Sequence, residues 1–239
     1  MKYIYILNRF NLKNKSEKMI KKLRETSEKH ERDYQIIINE NPEDAKNCTN
    51  QFQDTEYIIT SIGGDGSINL LLNDLIHTKN ILSFIPYGTG NDFYRFCKEK
   101  LNDGIHEVDI VKINERYFIN VACFGIDADI ANDDSFIHNP LIPSSMRYNA
   151  GVVYYFLSYH PRHLKIEVDD QIIDKKVTTA VIGNAQYYGG GYHVSPYGDI
   201  KDGFLELIVA DKLNKIAMAK VILSMKDAGH LKPPAVSSY

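Results

Sequence analysis

Short apolar runs alternate with charged, helix-spaced segments over the first hundred residues. Residues 2–7 read as a strand, and the charged stretch behind them carries Met19, Ile20 and Leu23 on one helical face, with Ser16 at its start. Tyr34–Ile38 reads as the next strand, and the segment after Pro42 as a helix. Tyr57–Ile62 is a third strand, which passes through a glycine turn into a helix over Ile68–Ile76. Ile81–Ile85 is a fourth, followed by a short helix over Asp92–Cys97. This βαβα alternation predicts a parallel sheet with helices on both faces and ligands at the carboxyl ends of the strands. Asn8, Asn39, Gly63 and Gly88 fall at those ends.

The texture changes from about His106. Residues 108–113 and 116–121 flank Asn114-Glu115 as a hairpin, and 164–168 and 171–173 flank Asp169-Asp170 as another. Further strands are expected at 177–183 and 204–210, with one helix near 144–158. A last helix is expected over 213–227, ended by Gly229 and Pro233-Pro234. The fold class is therefore α/β plus β. A parallel-sheet nucleotide-binding domain (1–120) precedes an antiparallel, β-sandwich-like domain (121–239).

Three glycine-rich junctions carry the chemistry. Gly63-Gly64-Asp65-Gly66-Ser67 joins a strand to a helix, and its glycines let backbone approach a ligand closely. Ser67 reads as the N-cap of that helix, whose first N–H groups carry the positive end of the dipole. Such a junction suits phosphate. A carboxylate within it, Asp65, needs a cation alongside, which suggests a nucleotide with Mg²⁺ and phosphoryl transfer. Taken alone, the tetrad reads equally well as a surface turn. Gly88-Thr89-Gly90-Asn91-Asp92-Phe93 at the next strand end, and Gly183-Asn184 through Gly189-Gly190-Gly191 to Asp202-Gly203, turn the balance toward a site.

Bulk properties narrow the class. A net charge of −3 argues against a dedicated nucleic-acid binder. The greasiest patch, Val152–Leu157, is far shorter than a membrane span. Cys48, Cys97 and Cys123 are odd in number and far apart, which suits a reducing cytosol, and His160 and His163 read as turn residues rather than ligands. The chain opens on a strand, without a signal-peptide layout. A cytoplasmic location is expected.

These junctions, in this order, resemble the diacylglycerol kinase catalytic-domain family of lipid kinases, which includes sphingosine kinases and bacterial lipid kinases. The resemblance runs from Asn8 to Gly229-His230. It implies ATP and Mg²⁺, a lipid alcohol as acceptor, and transient peripheral contact with a membrane during turnover, with no nucleic-acid partner. Whether the chain forms a homodimer is left open.

Asp65, Asp92 and Asp109 are the carboxylates placed around the catalytic Mg²⁺, with a surface acid at a strand edge as the lesser reading of Asp109. Gly63, Gly64, Gly66, Ser67, Thr89, Gly90 and Asn91 would cradle the phosphates, with Asn69 on the same helix. The resemblance places Asn8 and Asn39 on the nucleoside side. Arg95 is the candidate cation near the phosphates, or an ordinary helix arginine. The resemblance also implies a structural Mg²⁺ held by Asp202 and by the carbonyls of Asp199 and Phe204, where the residues alone favour an Asp-Gly turn. Tyr187, Tyr188, Tyr192 and Tyr197 read either as an aromatic wall or as loop packing. Asp127 is a candidate for orienting a lipid hydroxyl.

The chain departs from the family in three places. Asn8-Arg9-Phe10-Asn11-Leu12 stands where Asn-Pro and small residues are usual, and Leu70 where the pattern carries Glu. The family's Asp-Gly-Glu motif, which supplies its general base, is expected beyond Tyr239 in a longer protein. A kinase of a soluble substrate, such as an NAD kinase, and a nucleotide- or lipid-binding regulator remain as alternatives. Gly-Thr-Gly-Asn-Asp-Phe favours the lipid branch over the former, while Leu70 and the absent Asp-Gly-Glu favour the latter.

Overall fold

A computed structural model describes residues 2–8, 16–88, 90–132 and 147–239. Two compact units emerge, Met1–Ile119 and Asn120–Tyr239. In the first, β1 (Tyr3–Asn8), β2 (Tyr34–Asn39), β3 (Ile58–Gly63) and β4 (Ile81–Pro86) form a parallel sheet of order β2-β1-β3-β4. Alternate residues of a strand face opposite sides, and β1 shows why helices cover both. Ile4 and Ile6 pack with Ile59, Leu71 and Leu75, whereas Tyr5 and Leu7 pack with Ile20, Leu23 and Ile62. The helices behind these contacts are α1 (Ser16–Lys29) and α3 (Asp65–Leu75). Between them lies α2 (Pro42–Asn47), where Asn41 accepts from the Glu43 and Asp44 amides and Pro42 stands in the first turn. After β4 comes α4 (Asp92–Lys100), then a ribbon of β5 (Val111–Ile113) and β6 (Arg116–Phe118).

In the second unit, β7 (Val121–Gly125), β9 (Gln171–Gly183), β12 (Glu206–Asp211) and β13 (Val236–Ser238) form an antiparallel sheet of order β13-β12-β9-β7. Strand β8 (Arg162–Val168) also pairs with β9. The ribbon β10 (Tyr187–Tyr188) and β11 (Tyr192–His193) stands apart. Ile208 and Ala210 of β12 pack with Val221 and Met225, while Leu207 and Val209 pack with Ile173, Val177 and Ala180. The helices here are α5 (Ile126–Asn132), α6 (Arg147–Ser158) and α7 (Lys215–Ser224).

The structure corrects several sequence expectations. The hairpin expected over 108–121 is shorter, and residues 121–125 belong to the second sheet as β7. Residues 171–183 form one strand: Asp174, Lys175 and Lys176, which look like a break, pair with Lys165, Leu164 and His163. The last helix starts after Asn214, whose side chain accepts from the Ala217 amide, and becomes a 3-10 turn at Met225. Residues 144–146 of the expected middle helix lie outside the described residues.

Ile59 is fully buried in the central strand of the first unit. Ile59→Ala is expected to cost about 2–5 kcal/mol by transfer loss and cavity formation, measured by urea unfolding with a probe in residues 1–119.

Candidate active site

The carboxyl ends of the parallel strands carry most of the polar residues singled out in the first unit. Asn8 and Asn39 are paired in register, and both are buried. Asn39 Nδ2 donates to Asn8 Oδ1 at 2.9 Å, so two amides that would be costly alone satisfy each other.

At the ends of β3 and β4 the two glycine junctions lock together. The Tyr87 amide donates to the Gly63 carbonyl at 2.7 Å. A Cβ on Gly88 would come within 2.5 Å of Gly64 Cα, and one on Gly63 within 2.3 Å of Ser67 Oγ. Backbone meets backbone here, which only glycine allows. Asn91, in the left-handed region at φ 53°, closes the second loop on itself. Its Oδ1 accepts from the Gly88 amide at 2.9 Å and its Nδ2 donates to the Gly88 carbonyl at 2.8 Å.

Asp65 ties the junctions to each other. Its Oδ2 accepts from the Asp92 amide at 3.0 Å and its Oδ1 from the Phe93 amide at 2.9 Å. One carboxylate thus caps the first turn of α4, where the helix dipole favours negative charge. It is itself the first residue of α3, whose N-cap is Gly64. Ser67 therefore lies inside α3 rather than capping it, because the helix begins three residues earlier than its apolar pattern indicates. Asp92 is buried, Arg95 and Asn69 are half-buried on α4 and α3, and Asp109 is half-buried in the stretch ahead of β5. Thr89 and residues 9–12 lie outside the described residues.

Asp199, Asp202 and Phe204 form a tight exposed turn. Asp199 Oδ1 accepts from the Lys201 amide at 3.1 Å and Asp202 Oδ1 from the Phe204 amide at 2.9 Å, with Gly203 at φ 74°. These are local Asx bonds. Among the described residues no three His, Cys, Asp or Glu side chains gather where a metal ion could sit.

The second unit holds a polar cluster of which the sequence singles out Asp127 and Tyr188 but not their contact. Asp127 Oδ2 accepts from Thr179 Oγ1 at 2.6 Å and its Oδ1 from the Tyr188 hydroxyl at 3.1 Å. Burial raises its pKa, against the lowering effect of those two bonds. Thr179 carries no sequence signal, being one of two adjacent threonines that a strand accommodates readily. Asp127, Thr178 and Thr179 border a small cavity of about 50 Å³, whose other walls are apolar and include Ile130, Val152, Phe156, Met218 and Ile222. Of the four tyrosines, Tyr188 and Tyr192 pack onto the sheet, Tyr187 stacks on His193 at 4.7 Å, and Tyr197 is 74% exposed. All three cysteines are free thiols, and burial pushes Cys97 and Cys123 up to about 12.

Comparison with known proteins covers both units. Residues 2–119 match the diacylglycerol kinase catalytic domain, and residues 120–239 match the YegS C-terminal NAD kinase beta sandwich-like domain. A diacylglycerol kinase of Staphylococcus haemolyticus is 27% identical over 75% of this chain and 58% of its own length. One from Bacillus subtilis is 27% identical over 69% of this chain and 58% of its own. A probable lipid kinase, YegS-like, of Chromohalobacter salexigens is 25% identical over 67% and 56%. The chain therefore spans little more than half the length of these curated relatives. The crystal structure of a putative diacylglycerol kinase from Bacillus anthracis superposes with a TM-score of 0.74 at 21% identity, over all of this chain and 82% of that one. That likeness is one of fold.

Two predictions follow from this geometry. Gly88→Ala forces the junctions apart and is expected to cost about 1–3 kcal/mol, whereas Gly66→Ala, whose Cβ would meet nothing within 4 Å, should change stability by less than about 0.5 kcal/mol. Urea unfolding of both variants checks the contrast. Asp127 carries a raised pKa in the folded state, so its contribution to stability is present below the ordinary value of 3.8 and is lost as pH rises through the folded pKa. The stability of Asp127→Asn relative to the unmodified protein should therefore improve as pH climbs from about 4 to 7, read from unfolding curves at each pH.

Proposed function

The chain belongs to the family built from a diacylglycerol kinase catalytic domain and a YegS C-terminal beta sandwich-like domain, and on that footing we propose that it transfers the γ-phosphoryl group of ATP to a lipid hydroxyl such as that of diacylglycerol. The observation that carries this reading is the locked pair of glycine junctions at the ends of β3 and β4, with Asp65 bridging them. Phosphoryl transfer needs positioning and charge stabilisation more than covalent chemistry, and a rigid backbone platform supplies positioning. The reading assigns the phosphates to the backbone around Gly64, Gly66, Ser67 and Gly90, since the Asn91 side chain is spent on closing its own loop. Asn8 and Asn39 face the nucleoside, while Asp92, Asp109 and Arg95 adjust charge around the transferred group. Mg²⁺ arriving with ATP would supply neutralisation of phosphate charge.

For the acceptor, a half-buried carboxylate beside a largely apolar cavity suits a hydroxyl on an aliphatic chain, and Asp127 would orient it by accepting its proton in a hydrogen bond. The helices that wall this cavity also expose apolar side chains. Val153, Tyr154 and Leu157 of α6 are 56%, 52% and 64% exposed, and Ile216 and Leu223 of α7 are each 71% exposed. This supports peripheral contact with a membrane, from which such a substrate would come. No helix among the described residues is long and apolar enough to cross one.

The test is incubation with radiolabelled ATP, Mg²⁺ and diacylglycerol in mixed micelles, beside NAD and fructose 6-phosphate. Labelled lipid phosphate with unlabelled NAD and sugar is the expected result. Label in NAD or the sugar, with none in lipid, overturns the acceptor. Failure to bind ATP overturns the reading entirely.

A further inference from the structure

The ribbon β5–β6 is a two-stranded sheet that pairs with no other strand in the described residues. Isolated two-stranded hairpins are marginal in water, so something besides strand pairing must hold this one. Its register says which groups are available. Ile113 and Arg116 flank the two-residue turn, with Asn114 in the left-handed region at φ 53°. They form the hydrogen-bonded pair, and the next pair, Lys112 with Tyr117, is the non-bonded kind. The N–H and C=O of Tyr117 consequently point away from β5.

Both groups meet one side chain. The Tyr117 amide donates to Asn73 Oδ1 at 2.7 Å, and Asn73 Nδ2 donates to the Tyr117 carbonyl at 2.8 Å. The same Nδ2 donates to the Asn69 carbonyl, one turn back on α3, also at 2.8 Å. A carboxamide offers a donor and an acceptor side by side, as a peptide group does. Asn73 therefore does for β6 what a neighbouring strand would do. The Tyr117 ring adds an edge contact with His77 of the next turn, at 5.7 Å between centroids.

We propose that Asn73 is a positioning residue: its carboxamide docks the 111–118 ribbon on α3 and so fixes Asp109, which leads into that ribbon, relative to the glycine junction that opens the same helix. Aspartate lacks the donor and alanine lacks both groups. The functional consequence rests on the kinase reading above, whereas the docking itself does not.

The experiment compares Asn73→Ala and Asn73→Asp with the unmodified protein. In a folded Asn73→Ala, exchange of the Tyr117 amide hydrogen should accelerate roughly tenfold or more, as loss of two hydrogen bonds implies. The NMR resonance of the Asp109 carboxyl should shift with it. Asn73→Asp keeps the acceptor, so its Tyr117 exchange should fall between the other two, and this variant serves if the alanine protein does not fold. Lipid turnover should fall about tenfold or more in kcat, with ATP affinity unchanged. An unchanged Tyr117 exchange rate overturns the proposal, and so does a faster rate with Asp109 unmoved or with kcat intact in a protein that turns lipid over. If the unmodified protein transfers nothing to lipid while Tyr117 and Asp109 respond as expected, the kinase reading fails and the docking role stands.

Discussion

The carboxyl edge of the first sheet depends on the Asp65 carboxylate meeting the first amides of α4. Two helices open there, α3 at Asp65 itself and α4 at Asp92. A negative group at a helix N-terminus is worth typically 0.3–1 kcal/mol, and up to ~2 when partly buried. Sited between two such ends, one side chain links segments 27 residues apart. It also takes amides that a phosphate would otherwise approach. On the proposed reading, phosphate is left to the backbone that this carboxylate does not occupy, and the Asp92 and Phe93 amides serve as a buttress.

That constraint explains the glycines. Gly64 and Gly88 approach through backbone: a Cβ on Gly88 would come within 2.5 Å of Gly64 Cα, and one on Gly64 within a tight 3.1 Å of Gly88 Cα. Gly66 carries no such burden. Its value lies in exposing backbone rather than in fitting a crowded place. Similar residues in one motif are thus held there by different forces.

Much of this was readable from the chain. Alternation of apolar runs fixed the parallel sheet, and the strand-end positions of Asn8, Asn39, Gly63 and Gly88 followed from it. What escaped was long-range or local in a way that periodicity does not show. The start of α3 at Asp65 is set by contacts of that side chain with a second loop, not by hydrophobic spacing. Residues 174–176 look like a break because they are charged, yet they sit at a sheet margin where charge costs little. Strand β13 follows two prolines and has three residues, so no pattern announces it. Asn73 gave no sign because an asparagine in mid-helix reads as a merely tolerated polar residue. Asp127 was visible, but Thr179 and Tyr188, which hold it in place, come from segments more than fifty residues away.

The three thiols have a practical consequence. With Cys97 and Cys123 held near 12 and Cys48 also raised by burial, the thiolate fraction of the first two at neutral pH is on the order of one in a hundred thousand. Alkylating reagents attack thiolate, so Cys97 and Cys123 should react far more slowly than an exposed thiol. A single cysteine placed on the outer face of α6 or α7 would then take up a fluorophore or spin probe well ahead of those two buried sulfurs.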